Sequence, residues 1–249
     1  TERILAAYQE HSTGVRKSSA SIVCAGTGSG KTMAFYLPAL SSIAADVMET
    51  QFRAVRVLAI YPRVELLKDQ LKETLIQSRK LTPLMREHGR CLKVGAFFGK
   101  TPDSAAKVAE DLEKYKKPSL LIEWLDCPMD NCNGRMFWRL EDAKKSNEVL
   151  TCELCESKTN PDELSLTRKS AAANCPDILF TTTEMLNQRM SDPKWQKLFG
   201  VQAAVPVPIV LLDEIHTYEG NSGAQVAYLL RRWMALSGAR PHFVGLSAT

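Results

Sequence analysis

The stretch Ala25-Gly-Thr-Gly-Ser-Gly-Lys-Thr32 decides how the rest of this 249-residue chain is read. An apolar run, Ser21 to Cys24, precedes it, and a helix-like stretch, Lys31 to Leu40, follows it. Glycines at such a junction let the backbone turn tightly and aim its N–H groups at phosphate oxygens, where the starting helix dipole also favours negative charge. The pattern is that of a phosphate-binding loop with alanine in place of the first glycine. Ala25, Gly26, Thr27, Gly28, Ser29 and Gly30 are expected to wrap the phosphates. Lys31 is expected to reach the β- and γ-phosphates, and Thr32 to give its hydroxyl to Mg²⁺. A bare glycine turn without a ligand would not need the strand before and the helix after.

Outward from the loop, apolar runs alternate with helical stretches. Val55 to Ile60 is expected as a strand, and Pro62 to about Ile76 as a helix carrying Val64, Leu67, Leu71 and Leu75 at helical spacing. Lys93 to Phe98, Ile178 to Thr181 and Phe243 to Leu246 are further strands. Ile209 to Leu212 is a continuous apolar run, as expected of a parallel strand buried on both faces. Gly223 to Leu236 is helical, with Arg231 and Arg232 on its polar side. This alternation predicts an α/β fold, a parallel sheet with helices on both faces. The pattern breaks over 123–157, which is expected to be an insertion dividing the lobe into residues 1–122 and 158–249.

The run Ile209-Val-Leu-Leu-Asp-Glu-Ile-His216 supplies the other half of a nucleotide site. A buried strand delivers Asp213 to the phosphate side, where it can hold the Mg²⁺ water shell, and Glu214 can polarise the attacking water. An apolar strand ending in two acids is common in proteins; paired with the loop upstream it predicts ATP binding.

With these residues in place, Asp213-Glu-Ile-His216 resembles the second motif of superfamily 2 helicases of the DEAD/DEAH type. Gly245-Leu-Ser-Ala-Thr249 is similar to their third motif, which couples hydrolysis to nucleic-acid binding. Tyr61-Pro-Arg-Val-Glu-Leu-Leu-Lys-Asp-Gln70 and Thr181-Thr-Thr-Glu-Met-Leu186 resemble the two motifs that touch the phosphodiester backbone, and Phe98-Gly-Lys-Thr101 an intermediate one. Gln9, sixteen residues before Ala25, stands where many such proteins keep a glutamine that reads adenine. The resemblance implies a RecA-like first motor lobe of an ATP-dependent helicase. In it Lys31, Asp213 and Glu214 carry the phosphate chemistry, and His216, Ser247 and Thr249 link it to the strand. Arg63, Lys68, Gln70, Thr181 and Thr183 are then candidates for the nucleic-acid track, with DNA the favoured substrate. Thr182 departs from the asparagine often found there. The wording of the motifs is closest to large bacterial DNA helicases with a cysteine-bearing accessory domain, some of which act in phage defence. A defence or repair complex is therefore the expected setting. The chain begins at Thr1 and stops at Thr249, which implies a piece of a longer protein. The second lobe, with its γ-phosphate arginines, would lie elsewhere in that protein, and the piece alone would hydrolyse ATP poorly. A nucleotide-gated binding module without unwinding activity is the alternative reading. The Asp213–Glu214 pair disfavours it, because a pure sensor has no use for the hydrolytic acid.

Cys127-Pro-Met-Asp-Asn-Cys132 and Cys152-Glu-Leu-Cys155 are two hooks with nineteen residues between them. Each presents two thiolates to one ion, and together they complete a four-sulfur site of the zinc-ribbon kind. An iron–sulfur cluster is the competing reading, disfavoured by the paired spacing. The insertion is too short for a core of its own, so Zn²⁺ is expected to supply much of its folding free energy. The remaining cysteines, Cys24, Cys91 and Cys175, are expected as small buried hydrophobes. Gly134 is expected to help the chain turn back. Phe137, Trp138 and Arg139 either pack around the metal knob or stack on bases.

Composition excludes little. Hydrophobic residues at 45% and charged residues at 24% are ordinary for a globular protein, and a net charge of +4 permits a nucleic-acid partner without requiring one. No apolar run approaches the ~20 residues of a membrane span, and no secretory signal is legible, so a cytoplasmic location is expected.

Overall fold

The computed structural model describes residue 6 and residues 19–24, 31–50 and 52–247, with the backbone alone for 31–35. Gln9, the loop Ala25 to Gly30, Thr249 and the side chains of Lys31 and Thr32 lie outside the described residues. In chain order the elements are β1 (Ser19–Cys24), α1 (Lys31–Glu49), β2 (Val57–Tyr61), α2 (Val64–Glu87), β3 (Val94–Phe97) and α3 (Ala105–Lys114). Then come β4 (Ser119–Asp126), β5 (Arg135–Arg139), α4 (Leu140–Lys144), β6 (Leu150–Cys152), β7 (Leu164–Ser165), α5 (Arg168–Ala173) and β8 (Ile178–Thr182). The chain continues with α6 (Thr183–Arg189), β9 (Ile209–Leu212), a 3₁₀ turn (Ile215–Thr217), α7 (Gly220–Ser237) and β10 (His242–Ser247).

Among the described residues seven strands form one sheet in the order β1-β10-β9-β2-β8-β3-β7, every pair parallel. β2 and β9 are apolar along almost their whole length, because a strand in the middle of such a sheet is covered on both faces. One cluster packs α1 and α2 on one face, through Leu40, Ile43, Leu67, Leu71 and Leu75. A second cluster packs α6, α7 and the 190–207 segment on the other, through Leu186, Trp195, Phe199, Leu229 and Trp233.

Two helices are longer than the sequence predicts. α1 runs on to Glu49 because Ile43, Ala44 and Val47 continue its buried stripe beyond Pro38. α2 runs on to Glu87 through buried Ser78 and Met85. β1 is an edge strand whose alternate residues face outward, so Cys24 is exposed and not the buried hydrophobe expected of it.

The far end of the sheet is pinned by one carboxylate. Asp177, just before β8, is fully buried and accepts from Arg56 Nη1 (2.9 Å), Arg90 Nη1 and Nη2 (2.7 and 2.8 Å) and the Lys93 amide (3.0 Å), with Arg53 Nη1 at 3.6 Å.

β4, β5 and β6 form a separate antiparallel sheet. The irregular stretch expected from Glu123 is thus regular, and its first strand begins at Ser119. Its apolar side chains, Trp124, Leu125, Met136, Trp138 and Leu150, belong to the same cluster as Leu67, Leu71 and Leu75 of α2. Those packing contacts tie the small sheet to α2. Trp138 is fully buried and gives its indole N–H to Asn147 O (2.9 Å), which places it in the core and not on a base.

Candidate functional site

Parallel α/β sheets place their sites beyond the carboxyl ends of the strands. There β9 ends in Asp213, buried at 3% exposure, whose Oδ1 accepts from the Glu214 amide (2.8 Å). Glu214 stands at φ 50, ψ 45, the left-handed region in which a residue with a side chain is strained. Such strain persists where neighbours hold it, and functional sites are where it gathers. The neighbours are identifiable. Thr217 Oγ1 donates to Glu214 O (2.8 Å), and the Thr217 amide donates to the same carbonyl (2.8 Å).

His216 connects Glu214 of the acidic pair to the end of β10. Its Nε2 lies 3.2 Å from Glu214 Oε2 and its Nδ1 3.5 Å from Ser247 Oγ. The close approach of β10 to the turn depends on Gly245. A Cβ there would stand 2.9 Å from Ile215 Cδ1 and 3.0 Å from Cγ2. The adjacent register, Gly245 beside Leu212 in the parallel pair, fixes this approach.

A buried aromatic group joins the helix that follows the loop to the two segments expected to contact the phosphodiester backbone. Tyr36 of α1 and Tyr61 of β2 are hydrogen-bonded through their hydroxyls, and burial pushes both phenol pKa values up. Phe180 of β8 stacks on both, with ring centroids 6.1 Å and 5.8 Å away. Tyr61 immediately precedes Pro62-Arg63, and Phe180 immediately precedes Thr181.

The track candidates divide. Arg63 is exposed at the start of α2, and with Thr183, Glu214, Thr217 and Gln225 it lines a cleft of about 450 Å³. Lys68 instead turns to the small sheet and pairs with Asp126 (3.0 Å). Gln70 Oε1 is buried without a hydrogen-bond partner among the described residues. Thr181 is fully buried, and its hydroxyl donates to Phe97 O (2.8 Å), so no strand reaches it. Thr182, in the place of the asparagine, caps α6 by accepting from the Met185 amide (3.2 Å). Lys100 and Thr101 of the intermediate motif are occupied too, by Glu123 (2.6 Å) and by Ala96 O (3.0 Å).

The four cysteines converge. All four Sγ atoms lie within 4.8 Å of one another, with Cys127–Cys155 at 3.5 Å and Cys132–Cys152 at 3.7 Å. Four sulfurs about 2.3 Å from a single tetrahedral Zn²⁺ would stand about 3.8 Å apart. Backbone N–H groups of Gly134 and Leu154 point at Cys132 Sγ (3.5 Å) and Cys152 Sγ (3.4 Å). Ser157 Oγ lies 3.2 Å from both Cys127 and Cys155. Its hydroxyl and amide hold the Cys155 thiol down to about 6, while burial pushes Cys127 up to about 12. Gly134 is there because a Cβ would overlap Cys152 Sγ.

Sequence reasoning missed what seats this knob. Lys68, Lys72 and Arg79 of α2 form one basic stripe at helical spacing. Lys72 donates to Cys132 O (2.9 Å), and Arg79 donates to Pro128 O (3.3 Å), Lys158 O (3.0 Å) and both oxygens of Glu163. That spacing was the available signal. Ser157, two residues after the last cysteine, carried none.

Residues 7–124 match the DEAD/DEAH box helicase family. The chain is 26% identical to the Druantia protein DruE of Escherichia coli (strain UMEA 4076-1), over 86% of this chain and 14% of that protein. Its fold is shared with two helicases of solved structure, each aligned over 99% of this chain. They are the DUF1998 helicase MrfA (TM-score 0.52, 22% identity, 26% of its chain) and the Mycobacterium smegmatis helicase Lhr (TM-score 0.57, 20% identity, 22% of its chain). The chain thus spans about a quarter or less of the proteins it resembles. No helix among the described residues is long and apolar enough to cross a membrane.

Proposed function

We propose that this chain, whose residues 7–124 match the DEAD/DEAH box helicase family, is the ATP-binding first motor lobe of an ATP-dependent helicase or translocase acting on nucleic acid. The observation that carries the reading is His216, set between Glu214 and Ser247. Through it the candidate hydrolytic carboxylate is linked to Ser247, the first residue of the Ser-Ala-Thr motif. Lys31 and Thr32, at the start of α1, and Asp213, at the end of β9, are the groups for Mg²⁺ and the phosphates of ATP. When bound, Mg-ATP supplies the phosphoanhydride that is cleaved. Glu214 orients the attacking water and accepts its proton. Gln9 is the candidate for adenine, and Thr249 for the coupling end.

DNA is the favoured substrate, since MrfA has been solved bound to DNA and Lhr bound to ssDNA and AMP-PNP. The similarity to a Druantia protein favours a defence setting. The arginines that complete the γ-phosphate site would come from a second lobe, because the residues here supply one wall of the cleft. We assign Zn²⁺ to Cys127, Cys132, Cys152 and Cys155. Sulfurs within 4.8 Å fit one ion, whereas a cluster of several irons would hold them farther apart.

The test is Glu214→Gln in the protein that contains both lobes. ATPase stimulated by single-stranded DNA should fall about 10²–10⁴-fold, and strand displacement should go with it. Turnover near the wild-type rate would show that Glu214 has another role. Displacement that is absent from the wild type, with ATP-dependent DNA binding intact, would favour the binding-module alternative.

A further inference from the structure

The cleft that holds Arg63 and Thr183 does not end there. Thr183, Gln225 and Val226 also line a second, larger groove of about 1190 Å³ that runs along α7. From Gln225 to Arg232 the helix advances about 10 Å. α7 buries only Leu229 and Trp233 against the lobe. Its other face presents Tyr228, 74% exposed, and the exposed Arg231 and Arg232. Arg232 is held in place by Asn187, through Nη2 to Oδ1 (2.8 Å) and to the backbone carbonyl (3.3 Å). α7 contains no acidic residue. The one carboxylate on the groove wall, Glu184, accepts from Gln188 Nε2 (3.0 Å).

An exposed aromatic ring beside two guanidinium groups, in a groove continuous with a cleft bearing Arg63, is the equipment of a single-strand binding surface. Bases stack on the ring and phosphates meet the cations. We propose that α7 extends the nucleic-acid track, with Tyr228 stacking on a base and Arg231 and Arg232 meeting the phosphates of an unpaired strand. The proposal rests on the motor-lobe reading. It adds residues that none of the helicase-like motifs contains.

The experiment is fluorescence anisotropy with labelled oligothymidylate and a nested series of shorter versions. Tyr228→Ala, Tyr228→Phe, the double variant Arg231→Ala/Arg232→Ala, and Arg63→Ala are compared with the wild type. Tyr228→Ala should weaken binding of the long oligonucleotide about fivefold or more, and Tyr228→Phe should restore it. The double arginine variant should flatten the slope of log K against log salt by about 1.4, about 0.7 per phosphate contact on a single strand. Both effects should vanish with oligonucleotides too short to leave the Arg63–Thr183 cleft, while the Arg63→Ala effect persists at every length. All three α7 side chains are exposed, so Tm should stay within about 2 °C of the wild type. Unchanged affinity in the α7 variants at every length, with Arg63→Ala still weakened, overturns the α7 track and leaves the motor reading standing. A wild type that binds no oligonucleotide overturns both. Tyr228→Ala that lowers Tm without touching affinity marks the ring as part of the lobe's own packing and overturns the proposal.

Discussion

Replacing Gly134 by alanine tests the four-sulfur cage without removing any of its sulfurs. The new methyl would overlap Cys152 Sγ and stand 3.1 Å from Leu154 Cβ and Cγ. Neither neighbour can easily retreat. Cys152 is buried at the end of β6, paired in register with Met136 of β5, and the Leu154 amide is committed to the Cys152 sulfur. Forcing a methyl into a packed site costs about 1–3 kcal/mol, which for a chain of this size is roughly 2–12 °C in Tm. If the strain is relieved by moving the thiol, the same energy appears as about 5- to 150-fold weaker metal binding. Chelator competition followed with a colorimetric zinc indicator reads the second quantity, and thermal unfolding in saturating zinc reads the first. Gly99→Ala is the control, since a Cβ there meets nothing within 4 Å. If Gly134→Ala retains zinc and melts like Gly99→Ala, the sulfurs are not gathered around an ion in the way described, and the knob is held by its apolar contacts alone.

Asp177→Ala should be among the most damaging single changes, at about 3–5 kcal/mol or roughly 6–20 °C in Tm, because it leaves Arg56 and Arg90 buried without their carboxylate. A melt within a few degrees of the wild type would mean that water or another acid replaces it. Gly245→Ala should lower kcat for ATP about tenfold with little change in KM. Its methyl pushes Ile215 by a few tenths of an ångström and turns the strained segment at Glu214, whereas a full 1 Å misplacement can cost about 10²-fold. Steady-state ATPase assays on the two-lobe protein decide it, and an unchanged kcat would show that Ile215 absorbs the methyl by itself.

Much of the sheet was legible because its strands are short apolar runs punctuated by glycine, acid or proline. Ile209–Leu212 matched residue for residue, since a four-residue strand between a proline-rich loop and two acids has little freedom in its ends. Helix ends were less legible. The expected ends at Leu40 and about Ile76 fall short, because the buried stripes of α1 and α2 carry the helices on to Glu49 and Glu87. The small sheet was hidden for a different reason. Its strands alternate in burial on a surface shared with α2, so Trp124 and Trp138 look isolated in sequence and become core only when α2 is beside them. At the site, motif spacing named Asp213, Glu214, His216 and Ser247 but carried no information on side-chain direction. Thr181 and Thr183 are two residues apart, and two residues separate a hydroxyl spent on Phe97 O from a position on the cleft wall.

The same distinction bears on Lys68. As a surface cation in a backbone-contacting motif it suggests a phosphate ligand. In the fold it is the first rung of a stripe that continues through Lys72 and Arg79 and ties α2 to the cysteine knob. Arg63, at the head of the same helix, faces the cleft. One helix of 24 residues therefore carries the Arg63 cleft at one end and the cysteine knob along its side. The Arg63 cleft and the cysteine knob are thus joined through α2, although Arg63 and the four sulfurs lie in different parts of the sequence.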